Sequence, residues 1–280
     1  MSDILIANIG KYKNIFLALF QLFVIFHVNI AMLSKNKIKY IRSLEQKKQR
    51  KEEKAFLAEG SKLVGDLSGH FHCLLVAGTT QWIEKNPNFP TDEFIEVSHE
   101  ELTRASLLKS PKDVLAVYEI PTYGFPKEAP KTDLCLALDD VQDPGNLGTI
   151  IRIADWFGIE HIFCSQGTVD AFNPKTVQAT MGALARVKLH YCNLGELIDS
   201  LEDTPVYGTF LDGTDMYKEA LSEKGLIVMG NEGNGISAEI ARKINRKILI
   251  PNFPAGCETS ESLNVAVATA IVCAEFRRRM

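Results

Sequence analysis

The second half of this 280-residue chain repeats one pattern: a short apolar run, a polar turn, then a stretch with helical periodicity. It occurs in LALDDVQDPGNLGTIIRIADWFGI (136–159) and in LIVMGNEGNGIS (226–237). After the apolar run Lys247–Ile250 comes a third version, PNFPAGCETSESLNVAVATAIVCAEF (251–276). Strand–turn–helix units in series predict a parallel sheet covered by helices. In such sheets ligands bind beyond the C-terminal strand ends, where all three turns would lie.

In the first segment Leu134–Leu138 reads as a buried strand. Asp139, Asp140, Gln142, Asp143, Pro144, Gly145 and Asn146 form its turn. A helix is predicted from Leu147 to Phe157, with Gly158 in the stop position. In the second, Gly225–Met229 is the strand, Gly230–Gly235 the turn, and Ser237 the cap of a helix reaching Asn245. In the third, Ser260, Glu261, Ser262 and Asn264 precede the apolar series Leu263, Val265, Val267, Ala270, Ile271 and Ala274. Such a helix start offers free backbone N–H groups and a positive dipole end.

In order and spacing the three segments resemble the three motifs of the SpoU/TrmH-type RNA 2'-O-ribose methyltransferases of the SPOUT superfamily. Asn146, Gly148 and Arg152 match the first motif. Gly230, Glu232 and Gly233 match the second, and Ile250-Pro251 with Ser262-Leu263-Asn264-Val265 the third. The likeness covers about residues 132–280. It implies an α/β fold: a parallel-sheet SPOUT domain (133–280) with a deep trefoil knot, which nothing in the periodicity suggests. It also implies S-adenosyl-L-methionine as cofactor, an RNA substrate (rRNA or tRNA) and a homodimer. One departure is the longer link between Pro251 and Ser262.

The turn Gly230–Gly235 has its glycines as GxxGxG, not the dinucleotide-binding GxGxxG, and no Gly-Lys-Ser/Thr follows. Glu232 would repel a pyrophosphate but suits a cationic sulfonium. The resemblance assigns Gly230, Ile250 and Leu263 to the cofactor; Ser262 joins them, and Thr209 is a further candidate at a neighbouring strand end. Ile250 and Leu263 also read as core. Arg152, flanked by Ile150, Ile151 and Ile153, reads either as a salt-bridge partner of Asp155 or, by resemblance, as the group that engages the target ribose and its phosphate. A guanidinium is a poor base, so bidentate phosphate binding is its expected role. Asn146 is expected to cap the first helix. Glu232 is expected to hold Arg152 or another motif group, or to accept a proton. Asn264 is expected to bond neighbouring loops or the substrate. Capping alone is the plain alternative for each. Asp139 and Asp140 lack the partners of a metal site.

Net charge is −4, which gives no global nucleic-acid footprint. Locally, Lys35, Lys37, Lys39, Arg42, Lys47, Lys48, Arg50, Lys51 and Lys54 form a basic stretch, and Arg277–Arg279 a basic tail. Both favour RNA contact, with a solvated helix face as the alternative. Six cysteines without a CxxC pair fit a reduced cytoplasm. His70 and His72 alternate as strand residues would, without further ligands, so no metal is expected.

Residues 1–31 carry the apolar run Ile15–Leu33 after Lys11 and Lys13. This reads as an over-extended start, as a membrane anchor or signal, or as a soluble extension. Residues 32–120 read as a small α/β unit, which the resemblance assigns to RNA substrate binding. Its expected helices are 35–47, 61–67, 81–85 and 100–108. Its expected strands are 73–77, 94–97 and 114–119. Phe56–Gly60 resembles that unit's Glu-Gly signature. PTYGFPKEAPKT (121–132) is the linker. A protein that keeps the fold and binds RNA without catalysis is the rival class. A membrane-tethered protein is a third, resting on residues 1–31 alone.

Overall fold

The computed structural model describes residues 33–254 and 262–278. The apolar segment 1–31, most of the long link with Cys257, and Arg279 lie outside the described residues. Among the described residues, no helix is long and apolar enough to cross a membrane.

The first unit runs α1 (Lys35–Ser43), α2 (Lys47–Glu53), β1 (Ala55–Glu59), α3 (Ser61–Leu67), β2 (Cys73–Gly78), α4 (Thr80–Lys85), β3 (Phe94–Glu96), α5 (His99–Ala105) and β4 (Val114–Glu119). Its sheet order is β1-β4-β2-β3, with β4 antiparallel to both neighbours and β2 parallel to β3. Ser98 starts α5 through a capping box: its hydroxyl accepts from Glu101 N–H, and the Glu101 carboxylate accepts from Ser98 N–H.

Sequence expectation and structure differ at three places here. The basic stretch is two helices, because the chain turns at the buried Leu44 and Arg50 folds back to donate to the Leu44 and Glu45 carbonyls. Phe56–Glu59 of the Glu-Gly signature lie on β1, a strand that was not expected and is buried at every position. His72 precedes its strand and pairs with Asp92.

The second unit runs β5 (Leu134–Leu138), α6 (Pro144–Trp156), β6 (His161–Cys164), α7 (Pro174–Thr180), β7 (Lys188–Tyr191), α8 (Leu194–Asp199), β8 (Val206–Asp215), β9 (Gly225–Met229), α9 (Ala238–Ala241), β10 (Arg246–Leu249) and α10 (Val265–Arg278). Six parallel strands follow the order β10-β8-β9-β5-β6-β7. β5 and β9 are buried throughout, as continuous apolar runs in a parallel sheet should be. They are neighbours, so the turns that leave them lie side by side. That adjacency positions the site.

β8 is twice the expected length. β10 pairs with Tyr207 and Gly208, then jumps to Thr214 and Asp215. Residues 209–213 therefore have no partner in the β10 ladder and form an excursion within β8. α9 is shorter than expected and ends at Ala241. α6 packs on α10 and on α7. One apolar core continues through both units, including Phe56, Val64 and Tyr118 with Val177, Leu184 and Val187.

Candidate active site

The turn after β9 is shaped by Asn231. Its backbone pairs with Gly235 in both directions, and its side-chain oxygen accepts from Gly233 N–H (2.9 Å) and Asn234 N–H (3.0 Å). Its amide donates to the Asp140 carbonyl at 2.7 Å, tying this turn to the one after β5. Gly230 permits no side chain, since a Cβ would lie 2.2 Å from the Gly235 carbonyl carbon. Gly235 has φ +66°, the left-handed region. Asn231 was not among the expected site residues. Its signal was an Asn two residues before a glycine, the pattern of a side chain that closes its own turn.

Beside this turn lies a cleft of about 370 Å³. The expected cofactor residues Thr209, Gly230, Ile250, Ser262 and Leu263 all line it, as does Glu232. Phe210 and Leu211 of the β8 excursion form part of its wall.

The Glu232 carboxylate accepts from the Asn146 amide at 2.9 Å. The Asn146 carbonyl oxygen accepts from the Asn264 amide at 2.9 Å. One residue from each motif thus enters a single chain of hydrogen bonds at the cleft edge. One capping expectation is corrected by it. Asp143, not Asn146, caps α6: its carboxylate accepts from Asn146 N–H at 2.8 Å, which frees the Asn146 side chain for the network. Asn264 takes the capping role given as its alternative, accepting from Ala266 and Val267 N–H at the start of α10. Ser262 and Leu263 are left outside the helix, on the cleft wall.

Arg152 is exposed on α6 and does not line the cleft. Glu232 does not hold it, being committed to Asn146. Asp155 is taken by Arg186 through two 2.7 Å bonds, so the salt-bridge alternative fails as well. Asp139 accepts from Ser237 N–H and Asp140 from the Ser165 hydroxyl, both structural roles. The basic tail is also engaged: Arg277 donates to the Phe157 and Gly158 carbonyls, and Arg278 pairs with Glu275. No group of three or more metal-ligating side chains occurs among the described residues.

The lining of the cleft fits S-adenosylmethionine. Its volume lies in the range of small-molecule sites. Its wall combines apolar side chains and glycine backbone with the uncharged polar Thr209, Asn231, Asn234 and Ser262, and it carries one carboxylate and no Lys, Arg or His. A cation is favoured there and a polyphosphate is not.

Comparison with known proteins gives the same direction. The family described as SpoU rRNA Methylase matches residues 133–274, and the MRM3-like substrate binding domain matches residues 35–116. The 23S rRNA (guanosine(2553)-2'-O)-methyltransferase RlmP of Bacillus subtilis is 32% identical over 252 residues, covering 86% of this chain and 96% of that protein. A solved structure assigned to the TrmH family of RNA methyltransferases, from Porphyromonas gingivalis, is 42% identical with a TM-score of 0.80, covering 89% of this chain and 100% of that one. An AdoMet-bound rRNA methyltransferase structure from Sinorhizobium meliloti is 32% identical with a TM-score of 0.77, covering 89% and 96%. The chain is thus an RNA methyltransferase of the S-adenosylmethionine-dependent class. More particularly, it belongs to the SpoU rRNA methylase family.

Proposed function

We propose that this protein methylates a ribose 2'-oxygen in ribosomal RNA, with tRNA as the alternative substrate. The observation that carries this is the Glu232–Asn146–Asn264 chain beside a cleft with a single acid. When bound, S-adenosylmethionine supplies an electrophilic methyl group on a cationic sulfur. Thr209, Gly230, Ile250, Ser262 and Leu263 hold the cofactor, largely through main chain and apolar contact. Asn146 and Asn264 hold the ribose hydroxyl in line, and Glu232 orients Asn146 and accepts the hydroxyl proton. Positioning of this kind accounts for much of the rate of a displacement. Arg152 binds the adjoining phosphate.

The domain assignments follow: residues 32–120 bind RNA, 121–132 link, and 133–280 form a knotted SPOUT domain. The return of the chain after β10 to place Asn264 against Asn146 supports threading of the C-terminus. A homodimer is supported by α6 and α10, which pack together yet leave Trp156 85% and Val267 50% exposed. Arg152 lies one turn before Trp156, on the face a second copy would cover. A cytoplasmic location accords with the free cysteines among the described residues.

Transfer of labelled methyl groups from S-adenosylmethionine to unmodified rRNA tests the reading, with ribose positions mapped by primer extension at low nucleotide concentration. One 2'-O-methylated ribose is expected. No transfer, or a methyl group on a base, defeats it.

A further inference from the structure

Arg50 comes from the most basic stretch of the chain, yet it is 1% exposed. Its guanidinium makes four hydrogen bonds. Nε and Nη2 donate to Asp170 Oδ2 at 3.0 and 2.6 Å, and Nη1 donates to the Leu44 and Glu45 carbonyls at 2.8 and 2.7 Å. Asp170 belongs to the second unit, 120 positions away. Its other oxygen accepts from Phe172 N–H at 3.1 Å. Apolar packing surrounds the pair: Phe56 of β1 meets Phe172 with ring centroids 4.9 Å apart. At Gly182 a Cβ would lie 2.6 Å from Asp66 of α3.

On its own helix Arg50 is the one buried residue, while Lys47, Lys48 and Lys51 are exposed. The loop that carries Asp170 is fastened in turn to the cleft. Val169 N–H donates to the Val141 carbonyl at 2.9 Å, and the Thr168 hydroxyl to the Leu138 carbonyl at 3.0 Å. Ser165 and Asp140 exchange bonds of 2.9 and 2.5 Å, and Asp140 accepts from Asn231 of the glycine-rich turn. The lysines of α2 are therefore in fixed register with the cleft.

Units joined by a linker normally move relative to each other unless a buried interface prevents it. A buried arginine tolerates only the geometry in which its counter-ion and acceptors are all in place. We infer that Arg50 and Asp170 are positioning residues that lock the substrate-binding unit to the methyltransferase unit, and so select which ribose of a bound RNA reaches the cleft. This rests on the methyltransferase reading above.

The test uses the full chain with Arg50→Lys, Asp170→Asn and the apolar pair Arg50→Met/Asp170→Leu. The pair leaves no unmatched charge, so it is expected to fold even where a single variant does not. Expected results are cofactor affinity within twofold of wild type by calorimetry and a broadened small-angle scattering profile. Methylation should spread to neighbouring riboses, or kcat/KM for rRNA fall at least tenfold, with Arg50→Lys the mildest variant. A lesion that only lowered stability would not move the position of the methyl group. A folded apolar pair that modifies the same single ribose at the wild-type rate overturns the inference. A wild-type chain that transfers no methyl group overturns instead the reading on which it rests.

Discussion

Glu232, Asn146 and Asn264 at the cleft, and Arg50 with Asp170 at the junction, are both polar assemblies built from residues far apart in sequence. They differ in closure. The cleft chain is partly open to solvent, and Asn264 is exposed. The junction pair is sealed, with side chains 2% and 17% exposed, and the guanidinium meets acceptors on both sides. Polar groups meant for a ligand retain bonding capacity facing water, whereas polar groups that define architecture satisfy one another. Removing a member of the first should cost activity. Removing a member of the second should cost the fold.

The largest expected effect tests the open side. Arg152→Ala and Asn146→Ala should lower methyl transfer by about 10²–10⁴-fold, the scale of a lost positioning or charge contact. Thermal melting should change little, and calorimetry should show cofactor binding retained for Arg152→Ala. Loss of cofactor binding in that variant would remove Arg152 from the RNA side. Next, Arg50→Met alone should destabilise by about 3–5 kcal/mol in urea titration, because Asp170 is left buried and unpaired. A change below about 1 kcal/mol would erase the contrast between the two assemblies.

Gly230→Ala forces a Cβ onto the Gly235–Ile236 backbone. It should cost about 1–3 kcal/mol together with cofactor affinity. Gly233→Ala meets nothing nearer than the Asn231 side-chain oxygen at 3.7 Å and should be near neutral in the same titration.

The smallest effect concerns a third cluster, closed but without a counter-ion. His190 lies 3.1 Å from His161 and is packed by Tyr123, Phe125 and Phe163. Burial, then the neighbouring His161 and Lys188, pushes its pKa down to about 4 from 6.5. A depressed folded value means full stability above pH 6.5 and loss as pH falls toward 4. Between pH 7 and 5 the loss should be about 1–2 kcal/mol, read as a shift in the urea midpoint.

What could be read from sequence follows the same division. β5 and β9 were legible because continuous apolar runs end at glycine or acidic turns. That Thr209, Gly230, Ile250, Ser262 and Leu263 share one cleft wall was legible through the family resemblance and the strand ends. Arg50 was not, since nothing local separates one buried arginine from the lysines around it; the distinction lies in a partner 120 residues on. The capping role of Asp143 was misassigned and that of Asn264 left open because three or four polar residues precede each helix, and only the fold decides which one turns inward. The β8 excursion escaped notice because its pairing partner comes more than thirty residues later.

α6 and α10 are joined at both ends. Asn264 reaches Asn146 at one end, and Arg277 reaches the Phe157 and Gly158 carbonyls at the other. The two helices therefore run side by side in the same direction. Their aligned peptide dipoles point both positive ends at the place where Asn146, Asn264 and Glu232 meet. Under the proposed reading, backbone of both helices and not side chains alone would favour negative charge developing on an oxygen held there.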